Sequence, residues 1–426
     1  MPAAPPRQRP LQRPKRVVLI LPTETYRAES FMAAAASLGA EVVVATEHTP
    51  PMASEMEDRL VSVDFSRPEA SAAGIAALDV LSPLDAVVGV DDRGVLIAAH
   101  ANEMLGHPHN PPDAVAATRN KIDMRSVLEA WGVPQPAFRV AGPDDDVASL
   151  AQQVGLPCVI KPISLSASTG VIRADSPDQA TEVAHRVRRI LAKHERSTAE
   201  PLLVEEFIPG AEVSIEGILR DGELEILAVF DKPYPLDGPY FEESIYVTPS
   251  RLAQPNLDAA IRVAKQCCRA LGLREGSIHA ELRVDEARGE AKVIEVAARS
   301  IGGLCSRVLR FGAGISLEEV ILAHALGLDL DSSAQGQSAS GVMMLPIPRS
   351  GVLSRVDGID AARGVDGISG VEITATVGRP IEAIPEGGRY LGFIFGSADT
   401  PAQVEAALIE AHSCLDVVIT DERRHH

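Results

Sequence analysis

Residues 278–303 read IHAELRVDEARGEAKVIEVAARSIGG. Two runs that alternate between apolar and polar residues flank the turn-like DEARGE, which predicts a β-hairpin. Period-two alternation sets His279, Glu281 and Arg283 on one face of the first strand and Ile278, Ala280, Leu282 and Val284 on the other. The same period groups Val293, Glu295, Ala297 and Arg299 on one face of the second run. Two carboxylates and a guanidinium thereby arrive on adjacent strands, in a stretch apolar enough for burial, where charge without a partner is costly. A divalent cation with phosphate oxygens supplies such partners, because Mg2+ takes carboxylate and phosphate oxygens while Arg pairs with the remaining phosphate charge. An ordinary hairpin with a solvated acidic face accounts for these residues alone equally well. The rest of the chain has to decide between them.

With 426 residues the chain exceeds one compact core, and two or three domains are expected. Hydrophobic residues at 46% and charged residues at 23% fit a soluble protein, and no apolar run reaches the roughly 18 residues a membrane helix needs. A formal charge of −19 argues against sequence-independent binding of nucleic acid. The five cysteines lack a CxxC pair, so neither a zinc site nor a disulfide framework is expected, and they read as buried thiols of a cytoplasmic protein. Cys305, just past Arg299, lacks a base signal nearby and is read as structural. Residues 1–14, rich in Pro, Arg and Gln, are expected to form a disordered arm.

From Arg16 the sequence takes a βαβ rhythm. RVVLIL and EVVVAT read as strands around a helix that stops at Gly39, and DAVVGV with a helix over 93–105 repeats the unit. The first loop, PTETYR, lacks the GxGxxG of a dinucleotide site, so none is assigned. Asn110 and two prolines mark a boundary, after which Lys121 and Arg125 sit one helical turn apart and can reach one anion. In VIKPISLSASTG a strand ends at Lys161, and a hydroxyl run with Ser168 and Thr169, closed by Gly170, can fold N–H and hydroxyl groups over a phosphate. Next, LLVEEFIPGAEVS carries Glu205, Glu206, Phe207 and Ile208 into a Pro-Gly turn and then Glu212. Such a crossing suits adenine, and Glu212 is placed to accept from ribose hydroxyls.

Lys121, Lys161 with its loop, EEFIPGAEVS, HAELR and IEVAARSIGG follow one another in an order and spacing in which the chain resembles the ATP-grasp superfamily. Within it the chain looks like the L-amino acid ligases and related carboxylate–amine ligases, over roughly residues 16–421. The resemblance implies an α/β protein, α+β in its central part, with the ATP-grasp fold. Its expected parts are a Rossmann-like N-terminal domain over 15–112, an ATP-grasp domain over 113–335 with a lid near 135–203, and a β-rich α+β C-terminal domain over 336–421. The resemblance also implies ATP and Mg2+, with Mn2+ as an alternative ion. Lys121, Lys161, Ser168, Thr169 and Gly170 would meet the phosphates, Glu205, Glu206, Phe207 and Ile208 the adenine, and Glu212 the ribose. Glu281 and Glu295 would hold metal and Arg299 would act on the transferred phosphoryl group. Where the family's second metal motif commonly carries Asn, two residues after the second Glu, this chain has Ala297.

The implied reaction joins a small-molecule carboxylate, an amino acid by preference, to an amine through an acyl phosphate, with release of ADP and phosphate. No His-based pair is legible, and the phosphoryl step requires none. In the aromatic, acidic loop 231–251, Glu242 and Glu243 are candidates for an α-amino group, and Arg307 with Gly302 and Gly303 for a substrate carboxylate. The strand-rich stretch 340–396 is assigned to packing, lid support and homodimer contacts. Two alternatives stay open: an ATP-grasp ligase or carboxylase acting on a purine precursor or bicarbonate, and a nucleotide-binding protein without catalysis.

Overall fold

The computed structural model describes residues 13–48, 59–234, 236–312, 314–330 and 338–421; the arm expected over 1–14 falls outside them up to residue 12, as does the boundary expected at 335/336. The chain divides into two compact units, one of residues up to Pro108 with Glu318–Leu330, the other of His109–Leu317 with the residues from Asp331 on.

In the first unit β1 (Arg16–Ile20), β2 (Glu41–Thr46), β3 (Leu60–Ser62) and β4 (Ala86–Gly89) form a parallel sheet in the order β3-β2-β1-β4. Each residue of β1 is buried. This is the run of apolar residues that helices on both faces of a parallel sheet demand. The helices are α1 (Ala28–Ser37), α2 (Pro68–Asp79) and α3 (Val95–Leu105).

The second unit opens with α4 (Pro112–Arg119) and α5 (Lys121–Ala130); Asn120 caps α5, its side chain accepting from the Ile122 and Asp123 N–H groups. A four-stranded sheet follows in the order β5-β8-β6-β7, from β5 (Phe138–Ala141), β6 (Cys158–Pro162), β7 (Ile172–Ala174) and β8 (Leu202–Glu206). Helices α6 (Val147–Val154) and α7 (Pro177–Lys193) pack on it through a core that includes Ala151, Ala184, Val187 and Leu191.

The long strands β9 (Ala211–Arg220), β10 (Glu223–Lys232), β11 (Ile245–Thr248), β12 (Gly276–Asp285) and β13 (Glu290–Ala297) begin an eight-stranded sheet. After the short pair β14 (Arg310–Phe311) and β15 (Ile315–Ser316), the sheet is completed by three strands of the C-terminal segment. These are β16 (Ala339–Leu345), β18 (Ile368–Ile373) and β20 (Gly392–Ala398), and the order is β13-β12-β9-β10-β11-β16-β20-β18. The strands β17 (Gly351–Asp357), β19 (Pro380–Ile381) and β21 (Asp416–Thr420) form a separate small sheet. Under β9, β12 and β13 lies α8 (Gln254–Leu271), whose Ala260, Val263, Ala264 and Cys267 share a core with Val213, Ile215, Ile278, Ala280 and Leu282.

The hairpin expected at 278–303 is present, with Asp285 closing its turn by accepting from the Ala287 and Arg288 N–H groups. One expectation about it fails. Leu282 pairs with Val293 and Glu281 with Glu295, so Ile294 is an extra residue, a β-bulge. Strict alternation would place Val293 and Glu295 on one face. The bulge instead sends Val293 into the core with Val296 and leaves Glu295 on the polar face beside Ala297. Arg125 holds the bulge, its Nη2 donating to the Ile294 carbonyl at 2.6 Å. At the other end of β9, Gly210 (φ +114°) approaches the Val284 carbonyl so closely that a Cβ would sit 2.3 Å from that oxygen, which fixes glycine in the Pro209–Gly210 turn.

Candidate active site

Opposite the α8 core, alternation brings Glu212, Ser214 and Glu216 of β9 and His279, Glu281 and Arg283 of β12 to one face. Register sets Arg283 beside Glu212, Glu281 beside Ser214 and His279 beside Glu216, and β13 adds Glu295 next to Glu281. The last residue of β10, Lys232, stands next to Glu212 in the ladder and forms the hub. Its Nζ lies 2.8 Å from Glu212, 2.5 Å from Glu243 and 3.0 Å from Glu281. Sequence reasoning passed over Lys232, although a single cation closing the apolar run EILAVFDK was a usable signal.

The electrostatics of this cluster follow from its burial. Desolvation pushes the Lys232 ammonium down, but Glu212, Glu243 and Glu281 together hold it well above its ordinary value. Burial and the neighbouring Glu281 carboxylate push Glu243 up to about 7. Burial also acts to raise Glu281, yet Lys232 and His279 keep it well below the usual carboxylate range. A His–carboxylate pair does exist here, contrary to the sequence reading: His279 Nδ1 bonds Glu216 Oε1, and Nε2 is 3.2 Å from Glu281. Burial alone would lower His279, but Glu216 and Glu281 bring it up to about 9. Glu212 is also tied to Arg283, whose Nε is 2.6 Å away, so its carboxylate is engaged before any ribose meets it.

A second charged group lies where α5, β6 and β8 meet. Glu205 accepts from Arg125 Nε at 2.6 Å and pairs with Lys161 Nζ at 2.6 Å, all three side chains being buried. Burial would raise Glu205, and the two cations more than reverse this, so it stays ionised below its normal range. Burial presses Lys161 downward in turn. Lys121 Nζ donates to the Leu165 carbonyl at 3.0 Å and stands 4.0 Å from Glu295, between the loop after Lys161 and the polar face of the hairpin.

The remaining sequence-derived candidates are spread around these two groups. Ser168 (φ +57°) and Gly170 (φ +72°) shape the loop after β6, and Thr169 is buried in it. This loop docks on residues 385–388, with Gly170 N–H donating to the Pro385 carbonyl at 2.9 Å and Thr169 Oγ1 to the Gly387 carbonyl at 3.2 Å. Phe207 has the Arg173 guanidinium 4.5 Å over its ring and Phe241 at 6.3 Å; Ile208 is buried. Glu206 meets Lys292 at 3.1 Å, away from the Glu205 pair. Arg299 donates to the Ser300 carbonyl at 2.9 Å. Gly302 has open space around it, Gly303 (φ +59°) abuts the Phe393 ring, and Arg307 is ion-paired with Glu372. Burial raises the Glu242 carboxyl.

Among the described residues, Glu212, Glu243 and Glu281 are a carboxylate trio whose ligand atoms lie within 4.8 Å of one another. An all-oxygen set of this kind suits a hard divalent cation, in the place that the Lys232 ammonium takes between the three carboxylates. Glu295, paired with Glu281 across the hairpin, stands outside the trio. Two fully buried polar atoms near the charged groups, Arg125 Nη1 and Ser214 Oγ, have no hydrogen-bond partner, which leaves polar capacity for a bound group. The residues therefore fit an anionic ligand accompanied by a cation. No helix of the described residues is long and apolar enough to cross a membrane.

Comparison with known proteins agrees with this architecture. Residues 154–308 match the ATP-grasp domain, 32–109 the ATP-grasp N-terminal domain, and 343–420 the L-amino acid ligase C-terminal domain 2. The chain is 28% identical over 310 residues to an uncharacterised protein of Sinorhizobium fredii, covering 72% of this chain and 63% of that one. It is also 28% identical over 255 residues to an alanine–anticapsin ligase of Bacillus subtilis, covering 56% of this chain and 53% of the relative. The chain thus spans little more than half to three-fifths of the length of these relatives. Its fold is that of the L-amino acid ligase from Bacillus licheniformis, with a TM-score of 0.78 at 24% identity over 96% of this chain and 100% of the other. The chain thus carries matches to an ATP-grasp N-terminal domain, an ATP-grasp domain and an L-amino acid ligase C-terminal domain, and it resembles the L-amino acid ligases in fold.

Proposed function

We propose that this protein is an ATP-dependent, ADP-forming carboxylate–amine ligase that forms an amide between an amino acid carboxylate and an amine. The observation that carries the proposal is the convergence of Glu212, Glu281, Glu295 and Lys232 on one sheet face, with Lys121 reaching from Glu295 to the loop that follows Lys161. Lys121, Lys161 and Lys232 supply fixed positive charge for the phosphates, and the Ser168–Gly170 loop covers them. Glu205 orients Lys161, and the segment Glu205–Ile208 is the proposed adenine strip, with Glu212 at the ribose side. Glu281, with Glu295 or with the Glu212 and Glu243 carboxylates, would hold a Mg2+ or Mn2+ ion, which would supply positive charge against the phosphate oxygens.

The substrate carboxylate attacks the γ-phosphorus, the bond to the ADP oxygen breaks, and Arg299 stabilises the charge on the transferring group. The amine then attacks the acyl carbon, loses a proton, and phosphate leaves. Because acyl phosphates hydrolyse readily, the loop clasped onto 385–388 also serves to exclude water. Glu242, Arg307 and the Gly302–Gly303 turn are proposed to meet the amino and carboxyl groups of the substrates. The test is release of ADP or phosphate from Mg-ATP with amino acids singly and in pairs, with mass spectrometry of the products. Release that requires two amino acids and yields a dipeptide mass supports the proposal. Nucleotide binding with no release for any pair would overturn amino acids as the substrates.

A further inference from the structure

We propose that Glu216 is a positioning residue that ties the carboxylate cluster to the turn carrying Arg299. Its side chain is 1% exposed, which for a carboxylate is tolerable only when both oxygens are satisfied. Both are, and by different elements. Oε1 bonds His279 Nδ1 on β12, and Oε2 accepts the Ile301 N–H at 2.8 Å from the turn after β13.

Each arm leads to a group of the proposed active site. Through His279, whose Nε2 is 3.2 Å from Glu281 Oε1, Glu216 orients one carboxylate of the candidate cation site. Through Ile301 it fixes the backbone two residues beyond Arg299 and immediately before Gly302–Gly303. Ile301 is itself buried, and the bond from its N–H to Glu216 adds a directional constraint to the packing that holds this part of the turn. Glu216 is too deep to touch substrate and acts through its two partners. A metal-site carboxylate backed by a hydrogen-bonded neighbour typically loses about 10–100-fold in metal affinity when that neighbour is removed.

The inference rests on the ligase reading of the same site, and its test reads binding rather than turnover. Mn2+ affinity would be measured by electron paramagnetic resonance in the presence of a non-hydrolysable ATP analogue, for the full chain and for Glu216→Gln, His279→Gln and the double variant. The expected result is about 10–100-fold weaker Mn2+ binding for each single variant, with a double variant no worse than the weaker single one, because both remove the same link. Glu216→Asp, which keeps the charge but is too short to span His279 and Ile301, is expected to weaken binding as well, and it provides a second reading if Glu216→Gln does not fold. Affinity unchanged in Glu216→Gln and Glu216→Asp, or single losses that simply add in the double variant, would overturn the inference. A wild-type chain that binds no Mn2+ with the nucleotide would overturn the ligase reading itself, and this inference with it.

Discussion

Glu205 illustrates how one residue's surroundings set its contribution. Burial pushes its carboxyl up, but Arg125 and Lys161 more than reverse this and hold it below the ordinary glutamate range. A carboxylate depressed in the folded state adds stability that is complete above its unfolded pKa and disappears as pH falls through the folded value. Glu205→Gln should therefore be clearly less stable than wild type in urea at pH 7, and the gap should narrow as pH drops below 4.5. A gap that stays constant down to pH 3 would show that the loss is one of packing. At the catalytic end, Glu295→Ala should reduce turnover at least about 100-fold with a normal melting curve, since its proposed role is with phosphate charge rather than in the core. Arg299→Lys should lose most activity because an ammonium cannot reproduce the planar fork, and a near-normal rate would make Arg299 structural.

Among the elements, the contact between α7 and residues 382–388 bears on the loop after β6, proposed to cover the phosphates. Arg186 reaches Glu386 through Nε at 2.9 Å and Nη2 at 2.7 Å, His194 Nε2 meets the Glu386 carbonyl at 2.8 Å, and Lys193 pairs with Glu382 at 2.6 Å. Gly388 lies so close to the loop that a Cβ would fall 2.3 Å from Thr169 Oγ1. Half-exposed pairs of this kind are worth about 1 kcal/mol or less. Glu386→Ala should thus speed amide exchange at residues 165–171 severalfold while leaving exchange in β9 and β12 unchanged. Equal exchange in both proteins would mean that the backbone bonds from Gly170 and Thr169 hold the loop without the ion pair.

For the molecule as a whole, the cysteines report on burial. Cys158, Cys267, Cys268 and Cys305 are buried and only Cys414 is partly exposed. Burial pushes the Cys158 thiol up to about 11 and Cys268 up to about 12, far from the range where a reactive thiolate forms. An aromatic disulfide reagent should titrate one fast thiol in the native protein and five after denaturation. A second fast thiol at Cys305 would reopen its reading as a nucleophile beside the Arg299 turn.

Alternation, strand-end cations and turn residues are local properties, and they sufficed to read the hairpin of Glu281 and Glu295, the loop after Lys161, the parallel N-terminal sheet and the ATP-grasp order of motifs. The placement of Lys232 among three carboxylates, the Glu216–His279 pair and the Arg125–Glu205–Lys161 group was not legible in that way. Each joins residues that are distant in sequence, such as Arg125 with Glu205 and Glu216 with His279, and only strand register and helix packing bring them within hydrogen-bond reach. The bulge at Ile294 belongs to the same class. Its signal is a carbonyl taken by Arg125, 169 residues earlier in the chain, and without it a period of two assigns Val293 and Glu295 to the same face. Local chemistry thus names the groups proposed to handle phosphate, while the fold decides which charges neutralise one another.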